Sequence, residues 1–290
     1  MRRFLAGLGL LTAIVAAPAS GQEEPRQRVA INFSGKVGDE VFACGQSYAG
    51  LGTPASTATP ADFRFYVSSV ALIDGDGAAV PLALDQDGIW QYSNVAMIDL
   101  EDGQGPCLSG NAGTNARVVG TVPDGDYRGI ELEIGIPFDL NHNDPSLAPA
   151  PLNYTAMFWV WRTGYRFLKV DLQGKPTGHG HAMHANASGY AMHVGSTGCE
   201  GPAPTERPAE PCQRPNRVKV RFDDFDPASN VVVADLARLL QYSNLQFNEP
   251  DTAPGCMGDP ADSDCAGVYR ALGLPFGGHP GWEQVFLRAE

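Results

Sequence analysis

The chain has 290 residues, 43% of them hydrophobic, and its 33 Asp and Glu against 20 Lys and Arg give a formal charge of −13. It is long enough to bury a full core, and so acidic a surface excludes nucleic acid and anionic membranes as partners. Its 34 glycines and 23 prolines speak for many turns and against long helices.

The chain opens MRRFLAGLGLLTAIVAAPAS. Arg2 and Arg3 give a charged start, residues 5–17 an apolar run, and Ala17-Pro18-Ala19 a small-residue cleavage site. Residues 1–19 therefore read as a secretory signal peptide. The run is short for a membrane span, and no later segment is long enough, so no stable membrane insertion is expected. Losing the leader leaves 18 Lys and Arg against 33 Asp and Glu, a charge of −15. The expected location is periplasmic or secreted.

Elements follow in order. Residues 28–38 alternate around Val29, Ile31 and Phe33 and predict a first strand. In residues 61–74, Phe63, Phe65 and Val67 line one face, with a bulge expected near Ser68 and Ser69. DGDG then turns the chain, and AAVPLAL and VAMIDL are short strands. Ile130, Leu132 and Ile134 alternate in the next strand. MFWVWRTGYRFLKVDL, GYAMHVG and RVKVRF are further strand signals. NVVVADLARLL passes from strand into a short helix from about Ala234. A second helix is predicted from Cys265 to Leu272, with Gly273 just past its end. The fold class is mainly β: an antiparallel β-sandwich or barrel-like domain with long loops and one or two short helices. Residues 20–290 read as one β domain, with a disulfide-containing C-terminal extension from about residue 200.

Six cysteines in an exported chain predict three disulfides. Cys256 and Cys265 enclose an acidic loop, Cys199 and Cys212 flank a proline-rich one, and Cys44 is left with Cys107 for a longer closure.

The chemistry concentrates in MFWVWRTGYRF. Strand side chains alternate, so Trp159 and Trp161 are expected on one face and Phe158 and Val160 on the other. Four of the six histidines lie in HGHAMHANASGYAMH: His179, His181, His184 and His193. His142 stands in FDLNHNDPS. Neutral imidazole is the commonest protein metal ligand, and Met157, Met183 and Met192 add thioethers that favour Cu(I). His142 and His193 sit in segments pinned by prolines and by Cys199. The tract of His179, His181 and His184, with Met192, supplies possible additional ligands. G-x-S-x-G, H-E-x-x-H and nucleotide-binding glycine loops are missing, so no hydrolase or nucleotide enzyme is signalled.

The sequence FDLNHNDPSLAPAPLNYTAMFWVWRTGYRFLKVDL, followed by HVGSTGC and PNRVKV, resembles the MbnP-like family, the metallo-mystery pair four-Cys motif proteins. Phe63 to Val67 and PGCMGDPADSDC extend the likeness across nearly the whole mature chain. The resemblance implies an exported, non-enzymatic copper-binding protein partnered by a diheme enzyme of the MauG or cytochrome c peroxidase type. It further implies that the partner oxidises Trp161 or Trp159 to kynurenine, and that His142 and His193 bind the copper. Two features depart from the family pattern: six cysteines in place of four, and the HGHAMH tract. Two other readings are a metal-free structural or adhesive β-sandwich and a metal-dependent enzyme.

Overall fold

A computed structural model describes residues 24–173 and 189–290. Its spine is the 19-residue strand Ser56–Asp74. Along its length this strand pairs with Tyr127–Ile134, Leu168–Gln173, Val95–Asp99, Tyr48–Leu51 and Ala79–Pro81. The large sheet continues through Gly189–Val194 to Gly255–Cys256 on one side and to Val218–Phe222 on the other. A second sheet forms around Arg26–Val37, which pairs with Arg117–Pro123, Val231–Asp235 and Glu40–Val41.

The sheets meet across the main core. Ile31 and Phe33 come from one sheet, Phe63, Phe65, Val67, Ile130, Leu132 and Val170 from the other. Phe33 meets Phe65 edge to face at 6.1 Å. The bulge expected in the long strand is present: the register shifts between Glu131 and Glu133, opposite Ser69 at φ 53°. Both predicted helices form. Leu236–Leu240 is capped by Asp235, which accepts from the amides of Ala237 and Arg238. Cys265–Leu272 ends at Gly273, whose φ of 77° is the left-handed cap glycine tolerates.

Among the described residues two pairings are parallel, Arg26–Val37 with Val231–Asp235 and Gly189–Val194 with Gly255–Cys256. Each joins distant chain segments, so no tight hairpin imposes the antiparallel sense. Through these pairings and that of Val218–Phe222, the chain beyond residue 200 is woven into both sheets. All three expected disulfides are formed: Cys44–Cys107, Cys199–Cys212 and Cys256–Cys265. Such bonds persist in oxidising compartments, outside the cytosol. No helix among the described residues is long and apolar enough to cross a membrane.

The outer face of the large sheet is covered too. Arg64 and Tyr66 point away from the main core, yet both are fully buried. Residues 135–167 fold back over Tyr66 and make a smaller core with it of Met97, Ile136, Leu152, Met157, Tyr165 and Phe167. Tyr66 donates its hydroxyl to the Pro151 carbonyl at 3.0 Å, and Tyr165 donates to that of Leu152. These bonds fasten the excursion that carries the candidate site.

Candidate metal centre

The tryptophans lie on a two-stranded ribbon, Phe158–Val160 with Gly164–Tyr165. The strand ends at Val160, and Trp161 opens a turn closed by the Thr163 amide on the Val160 carbonyl at 3.1 Å. Trp159 and Trp161 therefore do not share a strand face, contrary to the alternation expected from sequence. Gly164 permits the turn: its φ is 78°, and a Cβ there would overlap the backbone and side chain of Asn141. Phe158 packs on Tyr165 at 4.9 Å. Trp159 is half-buried against Gly195, where a Cβ would come within 2.7 Å of the indole. The Arg166 guanidinium lies 5.6 Å from the Trp159 ring centroid. Trp161 is 37% exposed.

His142 caps the one-turn helix Phe138–Asn141 and is only 1% exposed. Its Nδ1 lies 3.0 Å from the Trp161 carbonyl. A carbonyl only accepts, so Nδ1 carries the proton and Nε2 presents its lone pair. Nε2 accepts from the Asn141 side-chain amide at 3.1 Å and stands 3.7 Å from Cys212 Sγ. Burial, the largest influence, lowers the His142 pKa; the Trp161 hydrogen bond opposes this and Arg207 reinforces it. The ring is thus held neutral, the form that binds metal.

Asn141 fixes this arrangement. Its Oδ1 accepts from the Tyr165 amide at 2.9 Å and its Nδ2 donates to Ser196 Oγ at 3.3 Å. One side chain thereby ties the helix end, the ribbon and the segment after His193.

His193 lies on Gly189–Val194, opposite Lys169. Its Nε2 is 2.7 Å from Asp171 Oδ1. An ionised carboxylate only accepts, so Nε2 holds the proton. Nδ1 is buried and has no hydrogen-bond partner. A buried lone pair without a donor asks for an explanation, and a metal ion supplies one, because ligating imidazoles commonly donate their other N–H to a carboxylate. Met192, its neighbour on the strand, points the other way and packs in the main core. Strand alternation thus separates its side chain from that of His193. His179, His181 and His184 lie outside the described residues.

Behind His193 runs a row of buried charges that the sequence reading missed. Lys169 Nζ lies 2.5 Å from Asp171 and also bonds Asp62. Asp62 accepts from Arg64 Nε at 2.9 Å, and Arg64 stands 3.8 Å from Glu101. Burial pushes the Asp171 carboxyl up. The His193 hydrogen bond and the neighbouring Lys169 ammonium more than offset this and hold it well below the usual carboxylate range.

Asp99, fully buried at the far end of the row, behaves oppositely. Its Oδ2 accepts from Asn111 at 2.5 Å while Oδ1 has no partner. Burial first, then the Glu101 charge, push its carboxyl from 3.8 up to about 8. Between these values the folded protein binds more protons than the unfolded chain, so this group makes stability fall as pH rises from about 4 to about 8. Asp99→Asn is expected to flatten that slope in urea unfolding at a series of pH values. An unchanged slope would contradict the assignment.

The two histidines flank the ribbon. His142 binds the Trp161 carbonyl, and a Cβ at Gly258 would touch both the Trp159 ring (3.5 Å) and the His193 carbonyl (3.6 Å). Among the described residues, the three-donor group containing His142 is His142, Cys199 and Cys212, and His193 joins no group of three. Each imidazole is oriented by an outer hydrogen bond, His142 by the Trp161 carbonyl and His193 by Asp171, as ligating histidines commonly are.

Fold and site together define a disulfide-stapled β-sandwich that carries a tryptophan turn between two histidines. Residues 26–258 match MbnP, and the chain belongs to the MbnP family. It is similar to the solved structure of MbnP from Methylosinus trichosporium, with 30% identity and a TM-score of 0.78 over 91% of this chain and 98% of that one. No curated protein matches the chain. It is accordingly a copper-related, non-enzymatic protein of the MbnP type.

Proposed function

We propose that the protein is a periplasmic copper-binding protein in which a tryptophan of the W-x-W turn is oxidised to kynurenine by a diheme partner. His142 and His193 would hold the metal with the modified residue, for storage, uptake or delivery. The observation that carries this reading is the buried, partnerless Nδ1 of His193, its tautomer set by Asp171, on the strand that backs the tryptophan turn. Intact indole is a poor ligand. Opening its pyrrole ring exposes an aniline-type nitrogen and carbonyl oxygens, which a metal can bind.

The surroundings favour Trp161 as the modified residue. It is 37% exposed, within reach of an oxidant that does not enter the fold. Trp159 has the Arg166 cation 5.6 Å from its ring. A cation over an indole stabilises the electron-rich ring and so opposes removal of an electron. The test is to coproduce the Trp161→Phe and Trp159→Phe variants with the diheme enzyme. Peptide mass spectrometry is expected to find the kynurenine mass gain in Trp159→Phe and not in Trp161→Phe. The reverse pattern would move the site to Trp159, and the gain in neither wild type nor variant would remove the reading.

A further inference from the structure

We propose that the Cys199–Cys212 disulfide is a reducible element of an alternative metal site, and that its two thiolates with His142 Nε2 bind a thiophilic d10 ion such as Cu(I) or Zn(II). The inference goes beyond the copper reading. It draws on the same His142 Nε2 lone pair as that reading, so the two sites exclude each other at His142, and it needs neither tryptophan oxidation nor His193.

Geometry carries it. Nε2 of His142 and the two sulfurs lie within 4.8 Å of one another. Tetrahedral metal–nitrogen and metal–sulfur bonds place N and S about 3.5 Å apart. His142 Nε2 and Cys212 Sγ already stand 3.7 Å apart in the disulfide form. The Trp161 carbonyl holds the proton on Nδ1, so Nε2 is the accepting nitrogen; its lone pair takes the Asn141 amide hydrogen at 3.1 Å, a bond that the ion would replace. Breaking the S–S bond lets the sulfurs separate to about 3.8 Å, the sulfur–sulfur edge of such a tetrahedron. Thiolates and imidazole together select thiophilic ions.

Access also distinguishes this bond. Cys199 is half-buried while Cys212 is 7% exposed, whereas both members of Cys256–Cys265 are fully buried. Cys44–Cys107 has a half-buried member too, but the third donor beside it is the Glu101 carboxylate. That carboxylate already accepts from the amides of Gly103 and Asn111.

The reductant is a dithiol. Its thiolate attacks Cys199 Sγ and the Cys212 thiolate leaves. The reductant's second sulfur then displaces Cys199 and closes its own disulfide. Two electrons and two protons pass from the dithiol to the protein. Binding of the ion releases the two thiol protons to solvent.

The test uses the full mature chain with three disulfides and unmodified tryptophans, under nitrogen. After brief dithiothreitol treatment and desalting, thiols are counted and located by alkylation and peptide mapping, and Cd(II) is titrated in. Two thiols are expected, at Cys199 and Cys212, with one Cd(II) bound through a thiolate charge-transfer band. His142→Gln should leave the thiol count unchanged and weaken Cd(II) binding by at least the roughly 10–100-fold that losing an outer partner costs. Cadmium NMR of the wild-type protein, reporting nitrogen together with sulfur in the donor set, serves should the variant misfold. Thiols appearing elsewhere first, all six appearing together, or a Cd(II) complex without nitrogen would each overturn the proposal. Because the tryptophans are intact, none of these results bears on kynurenine formation.

Discussion

Asp62→Ala is expected to lower unfolding stability by about 3–5 kcal/mol, the usual cost of removing one partner from a buried ion pair. Asp62 is fully buried and is the shared acceptor of Arg64 and Lys169, themselves 0% and 7% exposed. Without it, two cations face each other in a place water does not reach. Asp171 can still hold Lys169, but Arg64 keeps only the 3.8 Å approach to Glu101. The exposed pair Arg221–Asp223 is the comparison: water screens it, so its loss should cost far less. Urea unfolding of both variants decides the matter, and equal losses would show that the buried row does not hold the outer face of the sheet.

The second large effect falls on metal affinity. Asp171→Asn keeps the shape of the side chain and removes its charge, so His193 loses the anion that fixes its tautomer. Copper affinity is expected to fall about 10–100-fold, as for other outer-shell partners. His193→Ala removes a donor and should cost more. Competition against a chromophoric chelator reads both. If Asp171→Asn binds copper like the wild type while His193→Ala does not, the Asp171 bond is structural only. If neither variant changes affinity, His193 is no ligand.

The sequence shows the strands well where one face is apolar and the other polar. Phe63, Phe65 and Val67, and Ile130, Leu132 and Ile134, follow period two and lie where that period puts them. Local signals were also sufficient at Gly273, at the strand-to-helix passage after Ala234, and at the Ser68–Ser69 bulge. Alternation says nothing about a face covered later by distant chain, however. Arg64 and Lys169 look like solvent residues in sequence, yet both are buried, with Asp62 neutralising them. The parallel pairings were invisible for a related reason: they join segments with no common turn.

The candidate site was legible in part. His142 and His193 stood out by residue type and by the prolines and cysteine near them. Their tautomers are fixed by the Trp161 carbonyl and by Asp171, partners 19 and 22 residues away, and no local pattern carries that information. The shared tryptophan face was mistaken because a turn beginning at Trp161 overrides strand period. Thr163-Gly164 was the signal for it, since Gly164 adopts the positive φ with which the turn enters the return strand. Asn141 could have been found as the residue before His142 in the Asn-His-x-Asp-Pro element, for it is the side chain that joins helix, ribbon and Ser196.

The most direct test of the central claim is peptide mass spectrometry across residues 157–166 of protein taken from its native periplasm, with copper measured on the same sample. A kynurenine mass gain at Trp161, with close to one copper per chain, is the predicted result. Two unmodified tryptophans and no copper would contradict it and leave the W-x-W turn as packing.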